Sequence, residues 1–191
     1  TPIGFFEGTK SLGINKPCRL TYHTTQSLQE YEGGKPYLHD LDRWYQKIRP
    51  IEHKRQLDRA NLQPDYKIDH TAFSTITINR NFRTALHQDA GDYGGVAVLS
   101  CLEYGKYRGC LFLLPRYGIG IDLRQDDILV ADVHQFHCNS EIWTTKEDDE
   151  YNASLPVVFK GNPEVGTVGA YEDYSRITFV SYLREKLINC V

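Results

Sequence analysis

The chain has no methionine, and its 191 residues contain no run of 18 apolar positions. The second absence excludes a transmembrane helix, because crossing a bilayer core takes about 20 such residues. No signal-peptide pattern is visible in a sequence that opens on Thr1. No CxxC pair occurs, and the cysteines (Cys18, Cys101, Cys110, Cys138 and Cys190) are odd in number. A zinc ribbon or disulfide framework is therefore not expected, and reduced intracellular thiols are. Surplus positive charge is also missing: 22 Lys and Arg face 25 Asp and Glu, for a net charge of −3. That balance disfavours broad affinity for nucleic acid, which depends on neutralising phosphates. The basic run over residues 43–59 reads as a solvated helix face.

What remains describes one soluble globular domain spanning 1–191, with 40% hydrophobic and 25% charged residues. Residues 1–16 show no clear period and read as an irregular arm. Cys18-Arg19-Leu20-Thr21-Tyr22-His23 alternates as a short strand, and Glu32-Gly33-Gly34-Lys35-Pro36 reads as a turn. Leu38, Leu41, Trp44, Tyr45 and Ile48 share a helical stripe, and a second, more charged helix covers residues 51–62 after Pro50. Helical support therefore covers about 37–62. Short strands follow, over residues 73–79, 95–104, 111–114, 120–123, 128–131, 136–143 and 176–183. The order predicts a mainly β fold of the sandwich or barrel kind with packed helices, its core over about 71–183. The acidic run Lys146-Glu147-Asp148-Asp149-Glu150 and the glycine-rich residues 161–169 read as one long insertion loop over about 144–172.

The stretch richest in chemistry is His87-Gln88-Asp89. In an extended backbone, residues two apart project to one side. An imidazole and a carboxylate so placed can take adjacent corners of a metal ion. One more histidine completes a facial triad with open positions, the donor set of non-haem Fe(II) oxygenases. His134 and His137 both follow the strand at 128–131, and the residues leave either available as the third ligand. HxD alone is also the pattern of a hydrogen-bonded loop pair. Arg176 opens the last strand, on one face with Thr178 and Val180. An inward-facing arginine calls for an anion, and bidentate pairing with a carboxylate suits it.

In ordered combination these pieces resemble the TET/JBP-type Fe(II)- and 2-oxoglutarate-dependent dioxygenases, which oxidise the methyl group of 5-methylpyrimidines in nucleic acid. The resemblance runs from Cys18-Arg19-Leu20-Thr21 through residues 73–79, His87-x-Asp89-x-Gly91-Asp92, residues 109–115 and 127–132, and His137-Cys138-Asn139, to Arg176-Ile177-Thr178-Phe179. It implies a double-stranded β-helix (jelly-roll, cupin-like) with supporting helices. It also implies His87, Asp89 and His137 as iron ligands, with His137 preferred to His134 for the small and polar residues that follow it. By the same resemblance Arg176 anchors the distal carboxylate of 2-oxoglutarate. Asn79, Arg83 and Asp92 lie near the site, and Arg19 faces it.

The implied reaction oxidises 5-methylcytosine in DNA to 5-hydroxymethylcytosine. Thymine hydroxylation is an alternative within the family. A prolyl or small-molecule dioxygenase, or a metal-free cupin-like binding module, is the alternative outside it. A base in a duplex must be flipped to be reached, and Tyr93, Tyr117, Phe136 and Trp143 are candidate stacking partners. The separation of 39 positions from His137 to Arg176 is long for the family. Some relatives of this type use ascorbate in place of 2-oxoglutarate, so that cosubstrate stays open. Action on DNA implies a nuclear setting in a eukaryotic cell and a cytoplasmic one otherwise.

Overall fold

A computed structural model describes residues 1–11, 14–156 and 174–190. Its centre is a six-stranded antiparallel sheet. The strands in chain order are β1 (Pro2–Phe6), β2 (Thr9–Ser11), β3 (Ile14–Lys16), β4 (Arg19–Leu20), β5 (Thr75–Arg80), β6 (Val96–Tyr104), β7 (Arg108–Gly109), β8 (Phe112–Leu114), β9 (Ile119–Ile121), β10 (Ile128–Asp132), β11 (Cys138–Asn139), β12 (Ile142–Trp143) and β13 (Ser175–Tyr182). The large sheet runs β10-β6-β13-β5-β1-β4, and a small sheet runs β11-β8-β9. β13 thus lies between β6 and β5, pairing Arg176 with Glu103 and Thr178 with Asn79.

Alternation along these strands gives the sheet two different faces. Val98, Ile76 and Phe179 pack with helix α2 (Leu28–Ile48) through Leu38, Leu41 and Tyr45. Ala97, Leu99, Cys101, Val180 and Tyr182 face the other way, toward Phe112 of the small sheet, Leu123 and Val133. This second face holds the site. The two facing sheets match the expected double-stranded β-helix, and the helices support the opposite face of the large one.

Several local expectations change. The turn expected at 32–36 is interior helix: α2 runs unbroken through Gly33, Gly34 and Pro36. Tyr31 and Tyr37 pack on the core from either side of that stretch, and Lys35 bridges Glu32 and Asp69. Tertiary contact outweighs local propensity there. Trp44 and Ile48 lie on the expected stripe but are 49% and 46% exposed. Helix α3 (Pro50–Ala60) follows with Pro50 in its first turn, where its missing N–H costs little. The arm at 1–16 contains β1, a paired strand of the large sheet, and residues 22–23 belong to the short helix α1 (Tyr22–Gln26) rather than to a strand.

The insertion is not a loop throughout. Helix α4 (Lys146–Ala153) begins with a capping box between Thr145 and Asp148, the acidic first turn that suits a helix dipole. Residues 157–173, including the glycine-rich 161–169, lie outside the described residues. A disulfide joins Cys18 to Cys190 across 172 positions of sequence, correcting the expectation of reduced thiols only. A single staple between distant cysteines leaves no spacing pattern to read. Among the described residues no helix is long and apolar enough to cross a membrane.

Candidate active site

His87 and His137 lie opposite each other in an isolated antiparallel bridge. The N–H of each donates to the carbonyl of the other, at 3.0 and 2.9 Å, and the Asp89 N–H donates to the Val133 carbonyl at 2.9 Å. Backbone pairing thus fixes three side chains from two separate loops. Each imidazole is also fixed in tautomer. His87 Nδ1 lies 2.7 Å from the Ala85 carbonyl and His137 Nδ1 lies 2.9 Å from the Gln135 carbonyl. A carbonyl only accepts, so both Nδ1 atoms carry the proton and both Nε2 atoms present lone pairs.

Those lone pairs converge on one carboxylate. His87 Nε2 is 3.6 Å from Asp89 Oδ1, and His137 Nε2 is 3.7 Å from Asp89 Oδ2. All three ligand atoms lie within 4.8 Å of one another. Two imidazole nitrogens and one carboxylate, oriented by hydrogen bonds from their far side, fit a divalent ion with open positions, and suit Fe(II). His134 does not join them. Its ring sits against Gly95, where an added Cβ would come within 2.7 Å of it, and its buried Nε2 has no hydrogen-bond partner among the described residues.

The triad borders a cavity of about 400 Å³ between the two sheets, in the range of small-molecule clefts. Arg176, Thr178, Val180 and Tyr182 all line it, the period-two face of β13. Arg176 is 5% exposed. Its Nη2 donates to the Leu123 carbonyl at 3.2 Å. No carboxylate lies within ion-pair distance of it among the described residues. A buried guanidinium without an anion is costly, and the cavity it lines has room for one. Asp92, 5% exposed, lines the same cavity. Burial, with the nearby Asp89 carboxylate adding to it and Arg184 opposing, pushes its carboxyl up to about 7. Arg184 also lines the cavity and forks onto Glu7, with Nη2 to Oε1 at 2.7 Å.

The structure brings together His87, Asp89, His137, Arg176, Asn79 and Asp92 around this one cavity. It does not bring Arg19 there. Arg19 pairs with Phe6 at the edge of the large sheet, and its Nη1 donates to the Pro17 carbonyl at 2.9 Å. Edge position, not the face of β13, decides where that side chain goes. Arg83 is exposed beside the mouth, between Phe82 and Thr84, which line the cavity while Arg83 does not. Of the aromatic candidates, Tyr93 sits under Arg59 and Trp143 is exposed on β12. Phe136 is exposed, and Tyr117 OH donates to Gln135 Oε1 at 3.2 Å. None of the four lines the cavity. Tyr182 does, with its hydroxyl 3.1 Å from Thr77 Oγ1. Sequence reasoning passed over Tyr182, although counting in twos from Arg176 leads to it.

In the basic run at 43–59, Arg43 pairs with Asp40, Arg49 with Glu52 and Lys54 with Asp58, while Lys47 lies over the Trp44 ring and Arg59 over the Tyr93 ring. His53, in the same run, is a core residue bonded to Asp42 at 3.1 Å.

Comparison with known proteins gives a consistent result. Residues 1–185 match the family model Tet_JBP, described as the oxygenase domain of the 2OGFeDO superfamily. The chain is 31% identical over 190 residues to the bifunctional helicase and thymine dioxygenase JBP2 of Leishmania infantum, a match covering 99% of this chain and 15% of that protein. It is 31% identical over 174 residues to the thymine dioxygenase JBP1 of Crithidia fasciculata, covering 91% of this chain and 21% of that one. The chain thus spans about a fifth or less of the length of these relatives. Among solved structures, NgTET1 in complex with 5mC DNA has the same fold, with a TM-score of 0.64, 13% identity, and coverage of 97% of this chain and 60% of that one.

Proposed function

Because this chain belongs to the Tet_JBP family, the oxygenase domain of the 2OGFeDO superfamily, we propose that it is an Fe(II)- and 2-oxoglutarate-dependent dioxygenase that hydroxylates the methyl group of a 5-methylpyrimidine in DNA. The observation that carries this reading is the juxtaposition of the converging His87, Asp89 and His137 donors with the anion-seeking Arg176 in one cavity. Residues 1–191 act as one catalytic domain in this reading.

His87, Asp89 and His137 would hold the iron, and Arg176 would take the distal carboxylate of 2-oxoglutarate through charge-assisted hydrogen bonds. When bound, iron and cosubstrate supply the oxygen-derived oxidising power that turns a methyl C–H into C–OH. The chain's own part is positional. The carbonyls of Ala85 and Gln135 hold both imidazoles with Nε2 inward. Phe112, Leu99 and Val133 supply apolar walls around the reacting centre. Tyr182, Asp92 and Asn79 supply polar groups for the substrate's edge.

We take 5-methylcytosine as the base, giving 5-hydroxymethylcytosine. The names of the JBP1 and JBP2 relatives favour thymine, giving 5-hydroxymethyluracil. An enzyme of either kind works where DNA is, in the nucleus of a eukaryotic cell. The test is incubation with Fe(II), O2 and 2-oxoglutarate on duplexes carrying 5-methylcytosine, and on duplexes whose only methylated base is thymine. Digestion and nucleoside mass spectrometry then identify the product. A hydroxymethyl nucleoside from one duplex, formed together with succinate, supports the reading and names the base. None from either duplex overturns it. Replacing 2-oxoglutarate by ascorbate in the same assay decides the cosubstrate.

A further inference from the structure

Resting on the reading of this site as a DNA-base dioxygenase, we propose that Phe82 is the wedge that enters the base stack in place of the flipped nucleotide, with Arg83 on a flanking phosphate.

Phe82 lines the cavity at its mouth and is still 58% exposed. A phenyl ring that open to water is unfavourable, by roughly 25 cal/mol for each Å² of apolar surface left uncovered, and a flexible turn would let it fold inward. This turn cannot. Before Phe82, Asn81 holds a positive φ of 46°. Its N–H donates to the Arg176 carbonyl at 2.9 Å, and its Oδ1 accepts from the Arg176 N–H at 2.7 Å. After Phe82, Thr84 Oγ1 donates to Asn139 Oδ1 at 2.7 Å, and the Thr84 carbonyl accepts from the Asn139 N–H at 3.3 Å. Phe82 and Arg83 therefore form a two-residue projection pinned by β13 on one side and β11 on the other. An exposed apolar ring on a pinned backbone at the cavity mouth is matched to a partner with flat apolar faces, and stacked bases supply them.

Charge points to the same face. On the helical side Arg43, Arg49 and Lys54 are each paired with an acid. Arg83 has no ion pair among the described residues. Arg83 follows Phe82 directly on the same pinned projection and is exposed. The projection thus carries an exposed ring and an arginine with no ion pair side by side, an apolar contact for a base and a cation for the phosphate next to it.

A wedge matters only where there is a stack to open, because a single-stranded base needs no extrusion. The test compares turnover of wild type, Phe82→Ala and Phe82→Trp on the same sequence as duplex and as single strand. The fluorescence of 2-aminopurine placed next to the target base is followed in parallel, without turnover. Phe82→Ala is expected to lower duplex turnover by at least about tenfold, to leave single-strand turnover within about twofold, and to remove the fluorescence rise on duplex binding, since unstacking costs a few kcal/mol. Phe82→Trp is expected to restore both duplex signals. Equal loss on both DNA forms, or no loss on either, with active wild-type protein, overturns the wedge alone. Wild-type protein inert on both forms overturns the reading on which the wedge rests.

Discussion

His87 and His137 are joined backbone to backbone, each N–H donating to the other's carbonyl, while both Nε2 atoms face Asp89 at 3.6 and 3.7 Å. The pair comes from two loops 50 residues apart, His87 just after β5 and His137 just before β11. Any ion held there is held by a frame of paired backbone, which limits the ordering entropy that opposes binding.

That frame makes metal binding readable as stability. Under anaerobic conditions, Fe(II) at a hundred times its Kd is expected to stabilise the folded protein by about 2.7 kcal/mol. Addition of 2-oxoglutarate is then expected to give a visible charge-transfer band. Asp89→Ala should lose both the stabilisation and the band. A band of unchanged position and intensity in Asp89→Ala would remove Asp89 from the ligand set.

Arg176 gives a second separation of effects. Its guanidinium is buried with one backbone carbonyl as partner, so it is a cost to the empty protein and a gain to the loaded one. Arg176→Met is expected to raise the KM for 2-oxoglutarate by on the order of a hundredfold, equivalent to about 3 kcal/mol. The thermal midpoint of the empty protein should not fall. A large drop in that midpoint with an unchanged KM would make Arg176 a structural residue.

Only part of this site is legible in the sequence. Residues related by strand period were legible. Arg176, Thr178 and Val180 share the cavity face as two-residue alternation requires, and the same count reaches Tyr182. Relations across the chain were not. Nothing in the spacing of His134 and His137 says which ring turns inward. That choice follows from the bridge to His87 and the crowding of His134 against Gly95. Arg19 illustrates the same limit, because only the pairing of β4 with β1 shows that it lies at a sheet edge. The helix through Gly33, Gly34 and Pro36 was illegible for another reason. Local turn propensity there is overruled by the burial of Leu38, Leu41 and Tyr45 further along.

The Cys18–Cys190 disulfide ties the residues just before β4 to the C-terminal end of the described chain. It closes most of the sequence into one loop, so its main effect is on the unfolded chain. Cys18→Ser is expected to lower unfolding free energy by about 2–4 kcal/mol. The triad is carried by other segments, and turnover well below the midpoint should be unchanged. Denaturant titration with and without a dithiol reductant checks this. An unchanged midpoint on reduction would show that the bridge contributes nothing to stability.

Asp92 sets the pH dependence of the empty protein. Its folded-state value, about 7, lies above the ordinary carboxylate value of 3.8, first because the group is buried and then because Asp89 is near. Between those values the folded protein holds a proton that the unfolded chain has released. Stability contributed through Asp92 is therefore fully present below about pH 4, is lost as pH rises toward 7, and is constant above it. Asp92→Asn removes the titration. The advantage of the variant over wild type in metal-free unfolding experiments should then grow from pH 4 to pH 7 and level off beyond. The whole span amounts to a few kcal/mol at most, since each pKa unit corresponds to about 1.4 kcal/mol. Arg184, which opposes the shift from its place beside Glu7, provides the control. Arg184→Gln should raise the Asp92 midpoint and steepen the loss of stability at neutral pH. A difference between Asp92→Asn and wild type that stays flat across this range would mean that the buried carboxyl is ionised throughout, and would take away its place as a proton-bearing group at the site.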